Sequence, residues 1–372
     1  MNKTTISHFQ LGVLLFVFMT GSSIINIPGP LIARAGNAAW LSLMLSGACG
    51  FLVLAMLLFL HNRFPGLTYI DYSRKLIGNT MTVILGFLPL SFLFHMQSAI
   101  VVDVGLFMVS SMLRETPLYA FTLPVFLIAG LTARAGLEVI ARMFTLIMLL
   151  TAFSISAVLL LAIPDFHPNM LLPVLPKGFK AVLHGAFLTF GFPYVEVFLF
   201  GMLIPFGVAQ NQKKASRALY IALGLNIFIL CISTVSAIMV YGSYAGERPY
   251  VLFALARLVE FQEIIQRIES IIGMSLILGS YMKVTITIYV ISVYLSKMFM
   301  LKDNSKIIMP IALFGFLMGL VAFDGSTQWA GLVATVHPVW AGCVFFLPLV
   351  LLTVIAAFRK PGSTANKNNA QK

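Results

Sequence analysis

The stretch GSSIINIPGP, residues 21–30, lies inside the first long apolar run of a 372-residue chain. It holds two glycines, two prolines, two serines and an asparagine, which either interrupt a helix or bring polar atoms into it. A backbone amide or carbonyl that is freed inside the hydrocarbon of a membrane costs several kcal/mol unless another group satisfies it. Either this run is not a membrane helix, or the helix is interrupted where the protein works.

The composition of the whole chain favours a membrane protein. Hydrophobic residues make up 60% of the chain and charged residues 10%, against roughly 45–50% and about 25% in soluble domains. Most of its apolar stretches reach the roughly 20 residues that a spanning helix needs. The ten stretches are approximately residues 10–32, 39–60, 81–113, 118–133, 143–163, 181–206, 217–241, 263–298, 307–323 and 335–357. We therefore predict an all-α integral membrane protein with about ten transmembrane helices.

The net charge of +12 follows the predicted topology rather than a nucleic-acid surface. With the N-terminus placed inside, the inner loops and termini hold 16 of the 24 lysines and arginines, whereas the outer loops hold seven. This imbalance is the positive-inside rule. It predicts that both termini are cytoplasmic, and it argues against a nucleic-acid partner, leaving the lipid bilayer as the surroundings of the chain.

A second interruption, TFGFPYVE at residues 189–196, occurs five spans after the first. Because five crossings carry the chain to the other side of the bilayer, the two halves have opposite orientations, as in the inverted 5+5 repeat of LeuT-like transporters. In that fold, paired broken helices mark a binding site at the middle of the membrane. The alternative is a pair of ordinary proline kinks. We predict a first repeat over residues 1–163, an outer loop at 164–180, a second repeat over 181–358 and a polar cytoplasmic tail at 359–372.

The two interruptions offer complementary binding groups. Free amides and the positive end of a half-helix at the first one suit an anionic group, and carbonyls at the second one suit an ammonium group. Together they describe a receptor for the backbone of an amino acid. The predicted ligand-binding residues are Thr20, Gly21, Ser22, Ser23, Ile24, Phe190, Gly191, Phe192 and Tyr194.

Four ionisable residues fall well inside predicted spans: His95, Asp103, Glu196 and Lys283. Such residues are functional-site hypotheses by default because burying them in a bilayer is costly. Lys283 lies 14 residues before Lys297, roughly 20 Å along a helix. We expect it to replace a coupling cation, to carry a proton, or to form a structural ion pair with Glu196 or Asp103. Glu196 would hold a proton, line a polar path or stabilise the unwound backbone, and His95 is best explained as a core histidine.

Other features indicate little chemistry. The three cysteines lie in apolar stretches, and no nucleotide-binding loop, metal-ligand spacing or catalytic constellation is present. We expect neither an enzyme nor a metal or cofactor site. Residues 247–270 combine apolar residues with charges at helical spacing, which predicts a helix over the outer mouth, either a solvated amphipathic helix or a lid.

The stretch GSSIINIPG resembles the glycine-rich motif of the amino acid–polyamine–organocation transporter superfamily, Gly-Ser-Gly-Ile-Phe-x-x-Pro-Gly. Ser23 replaces the second glycine of that motif. The matching positions are Gly21, Ser22, Ile24, Pro28 and Gly29. The resemblance implies the transporter fold.

More narrowly, the chain resembles the B subunits of bacterial spore germinant receptors over nearly its whole length. The resemblance is carried by LLPVLPKG at 171–178, YVEVFLF at 194–200 and RPYVLFALARLVEFQEIIQRIES at 248–270. It implies a small-molecule germinant, an A subunit and a lipoprotein C subunit as partners, and the inner membrane of the spore as the location. Two other functions remain open: a stand-alone proton-coupled amino-acid permease, and a pore or scaffold subunit.

Overall fold

The computed structural model describes residues 5–207, 211–258 and 268–359, and all regular structure within these ranges is helical. Among them, nine helical stretches are long and apolar enough to span a membrane, and the shorter helix Tyr119–Arg134 supplies a tenth. The predicted all-α membrane fold is confirmed. The predicted tail, apart from Arg359, lies outside the described residues.

We number the membrane helices α1 to α10 in chain order. Four of them are built from several helical segments, and the others are single helices. Their bounds are α1 His8–Thr20, Ser23–Asn26 and Pro28–Ala35; α2 Ala39–Arg63; α3 Asn79–Phe107 and Met108–Met112; α4 Tyr119–Arg134; α5 Leu137–Leu161; α6 Gly178–Thr189, Phe190–Tyr194, Val195–Met202 and Ile204–Gly207; α7 Gln212–Tyr241; α8 Glu269–Met298; α9 Ser305–Ala322; and α10 Ser326–Ala341, Gly342–Phe346 and Leu347–Phe358.

The interrupted helix α1 lies at the centre of the bundle. It begins with a capping box, in which the Gln10 amide donates to Ser7 Oγ over 3.1 Å and the Ser7 amide donates to Gln10 Oε1 over 2.9 Å. Beyond the cap it is apolar on every side, as expected of a helix with no solvent face. Within the most apolar part of each helix, 83% of α8 is buried but only 22% of α5. Helix α8 is therefore central with α1, and α5 is peripheral.

The first interruption is milder than the sequence suggests. At Gly21 (φ −44°, ψ −66°) and Ser22 (φ −89°, ψ −26°) the backbone stays in the right-handed helical region. The Gly21 amide still donates to the Val17 carbonyl over 2.9 Å. Pro28 is the first residue of the next helical segment, a position where its missing amide is tolerated. The predicted free amide at Gly21 is therefore not available to an anionic ligand.

The second interruption is a true break in α6. Residues 190–194 form a turn of π-helix that contains Phe192 in an extended conformation (φ −143°, ψ 112°), and the chain continues as a 3₁₀-helix over Val195–Met202. Turns of π-helix and 3₁₀-helix inside a long helix are frequent at functional sites. Helix α6 therefore changes its hydrogen-bonding pattern close to the level of Glu196.

Helices α1 and α8 cross at two glycines. A Cβ atom added to Gly21 would collide with the carbonyl group of Gly279, and one added to Gly279 would collide with the carbonyl group of Gly21. Small residues allow membrane helices to approach this closely. The role that the structure gives Gly21 is backbone packing against α8.

The segment before α8 is partly integrated into the bundle. Its described part forms the helix Val251–Leu258, whose apolar residues are mostly buried. Arg257 remains exposed and lies over the Phe253 ring, 4.7 Å from its centroid. The rest of the predicted amphipathic helix, residues 259–267, lies outside the described residues.

Candidate functional site

Five polar side chains from five different helices meet at the middle of the bundle. They are Asn26 of α1, Asp103 of α3, Glu196 of α6, Lys283 of α8 and His337 of α10, and each is at most 9% exposed. We call these five residues the polar centre. A charge buried to this degree is unstable unless it is paired and hydrogen-bonded, so their partners determine what the site can do.

Lys283 is paired with Glu196. Its Nζ donates to Glu196 Oε2 over 2.6 Å, and both side chains are almost fully buried. The ammonium group also lies 4.1 Å from the centroid of the Phe192 ring and 5.1 Å from that of Phe18, and aromatic faces attract cations. Of the two carboxylates that the sequence offered as partners, the structure selects Glu196 rather than Asp103.

The second oxygen of Glu196 faces His337. His337 Nε2 lies 3.5 Å from Glu196 Oε1, and neither atom has a hydrogen-bond partner among the described residues. The imidazole ring packs edge-on against Phe92, with 4.6 Å between ring centroids. Glu196 therefore lies between Lys283, whose charge it neutralises, and His337. A small rearrangement would bring His337 within hydrogen-bond distance of Glu196 Oε1.

Asp103 forms the second polar pair. Its Oδ2 accepts a hydrogen bond from Asn26 Nδ2, whereas its Oδ1 finds no partner in the described parts of the chain. The hydroxyl group of Tyr250 lies close by. Burial raises the pKa of Tyr250, and the neighbouring Asp103 carboxylate raises it further, so Tyr250 remains a neutral hydroxyl beside the carboxyl group.

The polar centre surrounds a small cavity of about 20 Å³, which Ser22, Phe192 and Trp329 also line. A cavity needs at least about 10–15 Å³ on this measure to hold one water molecule. The cavity therefore accepts a group of about that size but not a whole amino acid. Both pairs, Asn26–Asp103 and Glu196–Lys283, belong to its lining.

The predicted ligand-binding residues do not all line this cavity. Ser22 and Phe192 do, whereas Thr20, Gly21 and Ile24 line a larger cavity of about 450 Å³ between α1, α5, α7 and α8. That larger cavity is almost entirely apolar, and its rim residues Leu160 and Phe228 are 65% and 61% exposed. It is an apolar groove on the membrane-facing side of α1, with little to bind a charged ligand.

The remaining predicted residues pack away from both cavities. The Ser23 hydroxyl donates to a backbone carbonyl one turn earlier in α1. Phe190 and Gly191 pack against α10, and Tyr194 packs against Gly50 of α2. Of the predicted ligand-binding residues, the structure brings Ser22 of the first interruption and Phe192 of the second to one cavity. Ligand contacts by all of the predicted residues remain a prediction.

Asn26 and His337 are site residues that sequence reasoning missed. Asn26 lies within the opening stretch, but it was counted only as a polar interruption of the helix. His337 falls two residues inside the predicted span 335–357 and so resembles an interfacial residue, yet α10 begins at Ser326. His95 is half-buried, with its ring centroid 5.0 Å from that of Trp340 and 6.3 Å from that of His337.

Solved transporters share this fold. A Na⁺-coupled sialic acid symporter in its substrate-bound, outward-open state superposes with a TM-score of 0.68 at 13% identity, covering 93% of this chain and 79% of the symporter. A nucleobase-cation-symport-1 family transporter, closed with bromovinylhydantoin bound, gives 0.66 at 13% identity, covering 94% of this chain and 78% of that one. The LeuT-like fold is confirmed.

Relatives in sequence are germination proteins. Spore germination protein KB of Bacillus subtilis (strain 168) is 25% identical over 380 residues, covering 100% of both chains. Spore germination protein YndE of the same organism is 24% identical over 307 residues, covering 81% of this chain and 83% of YndE. The sequence model of the family described as "Spore germination protein" matches residues 5–323. The chain therefore belongs to the spore germination protein family.

Proposed function

We propose that this chain is the membrane subunit of a spore germinant receptor, and that it recognises a small, amino-acid-like nutrient at the polar centre by binding rather than by catalysis. The observation that supports this proposal is the meeting of five buried polar side chains around one cavity in a transporter fold. A bundle that served only as a scaffold would fill this volume with apolar side chains, because buried polar groups cost free energy.

The two polar pairs suggest how binding produces a signal. Asn26–Asp103 joins α1 to α3, and Glu196–Lys283 joins α6 to α8. Both pairs therefore connect the interrupted helices α1 and α6 to the neighbouring helices α3 and α8. A ligand that binds at the cavity competes with the contacts within these two pairs and favours a state in which the pairs are open. It shifts the equilibrium by the difference in its affinity for the two states.

The proposal extends to partners and location. We infer that the open state is passed to an A subunit and a lipoprotein C subunit in the inner membrane of the spore. The relatives named as spore germination proteins support the setting, and the excess of basic residues in the predicted inner loops supports cytoplasmic termini.

Germination of spores that lack this protein tests the proposed function. The deletion strain and a complemented strain are exposed to a panel of amino acids and sugars, and germination is followed by the fall in optical density. We expect loss of the response to at least one compound and its restoration by complementation. Unchanged germination, together with reduced amino-acid uptake by growing cells, would instead identify a stand-alone permease.

A further inference from the structure

We propose that Asp103 binds the ammonium group of the germinant, so that a positively charged nitrogen is the feature that the site recognises. This inference rests on the proposed function, because it concerns the ligand of the same site. The ammonium subsite predicted from the sequence consists of backbone carbonyls of α6, whereas the subsite proposed here is the Asp103 carboxylate on α3.

The first observation is an unused acceptor that faces the cavity. Asp103 is 1% exposed and lines the cavity. The Tyr250 hydroxyl lies near its carboxyl group, but within the residues that the structure describes no donor meets hydrogen-bond geometry at Asp103 Oδ1. Buried polar atoms without partners are rare in folded proteins and call for a specific explanation, such as a bound molecule. An ammonium group offers three donors. Glu196 Oε1 is a second unused acceptor among the residues that line the same cavity.

The second observation is the balance of charge around the cavity. Its lining contains two carboxylates, Asp103 and Glu196, and one lysine, Lys283, which pairs with Glu196. Among the described residues, no cationic side chain forms an ion pair with Asp103. Its hydrogen-bond donor, Asn26, is uncharged. A buried carboxylate is stable when a cation accompanies it. With the His337 imidazole, which also lines the cavity, in its neutral form, a ligand that brings one positive charge makes the net charge of the lining zero.

The third observation is the aromatic wall of the cavity. The indole of Trp329 donates to the Ala99 carbonyl over 3.0 Å, which fixes the ring where it lines the cavity beside Asp103. The face of an aromatic ring attracts cations. Carboxylate and indole together favour an ammonium group over a hydroxyl group at this position.

The test compares ligands that differ only in this group. The full-length protein in lipid nanodiscs is screened by thermal stability against the twenty standard amino acids and a set of sugars. The amino acid that stabilises it most is then compared with the matching 2-hydroxy acid, and with methylammonium chloride, potassium chloride and sodium chloride. We expect the amino acid to bind at least about thirtyfold more tightly than the hydroxy acid, the usual scale for loss of one partner of a buried charge pair.

Variants locate the preference at Asp103. Asp103→Asn keeps the shape of the side chain and an acceptor for Asn26, and we expect it to reduce affinity for the amino acid about thirtyfold or more and to remove most of the preference for the amino acid over the hydroxy acid. Asp103→Glu should restore part of the preference. The matched control is Asp165→Asn, because Asp165 is exposed, lies between α5 and α6, and does not line the cavity. It should change nothing.

Each contrary outcome has a separate meaning. Equal binding of the amino acid and the hydroxy acid by the wild-type protein overturns the inference without any variant, as does an unchanged preference in Asp103→Asn. Stabilisation by sugars alone also overturns it but leaves germinant recognition intact. Stabilisation by potassium or sodium chloride alone, lost in Asp103→Asn, assigns the site to an inorganic cation instead. If no compound binds, the proposed recognition function fails as well.

Discussion

Lys283 and Glu196 form an ion pair in which both side chains are almost fully buried. In the wild-type protein, Lys283 Nζ lies 2.6 Å from Glu196 Oε2. Lys283→Met removes this ammonium group and leaves the Glu196 carboxylate without its cation. Breaking a buried pair from one side typically costs about 3–5 kcal/mol. We therefore expect a large fall in the melting temperature of the purified protein and a weakened germination response.

The double variant Lys283→Met, Glu196→Gln separates charge from packing. Because it removes both charges, most of the lost stability should return, and the two substitutions should be strongly non-additive. A single Lys283→Met variant with wild-type melting temperature, abundance and germination would contradict any essential role for the pair.

At the scale of single residues, the sequence predicts which ionisable side chains lie inside the membrane helices but not which of them form pairs. Helix geometry alone shows that Lys283 is too far from a helix end to reach water. The choice of Glu196 over Asp103 depends on the relative rotation and offset of α3, α6 and α8, which no spacing in the sequence encodes. The apolar pattern places His337 near the end of a span, whereas its helix begins eleven residues earlier, at Ser326.

At the scale of the helices, the contact between α1 and α8 depends on Gly21 and Gly279. A Cβ on either residue meets the backbone of the other, and backbone yields less readily than a flexible side chain. Overpacking of this kind costs typically 1–3 kcal/mol. We expect Gly279→Ala and Gly21→Ala each to lower the melting temperature.

Gly331→Ala is the matched control for these two variants. Gly331 also lies in a membrane helix, but nothing lies within 4 Å of an added Cβ, so its substitution should be neutral. If Gly21→Ala, Gly279→Ala and Gly331→Ala all had the same melting temperature, the close approach of α1 and α8 would not be required for stability. Gly21→Val would also disturb this packing, so a changed germination response in that variant would not by itself identify Gly21 as a ligand contact.

The sequence predicted the two interruptions with unequal success. In α6 the combination of Gly191 and Pro193 marks a real break, with Phe192 in an extended conformation. In α1 the prolines fall where a helical segment begins, so the helical dihedrals continue through the stretch. Glycine and proline indicate where a helix can be interrupted, but tertiary packing decides how far it unwinds.

At the scale of the whole molecule, the loop charges predict the orientation in the membrane. After replacement of Cys49, Cys231 and Cys343 by alanine, a single cysteine at Gln212 should react with an impermeant thiol reagent only from the cytoplasmic side. A cysteine at Asn169 should react only from the opposite side. This outcome follows from the positive-inside rule. Labelling of both positions from the same side would contradict the inverted repeat.

Recognition at the polar centre is tested most directly by filling its cavity without changing its charges. Ser22 lines the polar cavity of about 20 Å³, and Ser156 lines the apolar groove. The measurement is the germinant concentration for half-maximal germination of spores carrying Ser22→Val or Ser156→Val, with the level of the protein in each strain determined by immunoblot. We predict at least about a tenfold increase for Ser22→Val, equivalent to about 1.4 kcal/mol, and no change for Ser156→Val. An unchanged concentration for Ser22→Val at normal protein level, or an increase confined to Ser156→Val, would contradict it.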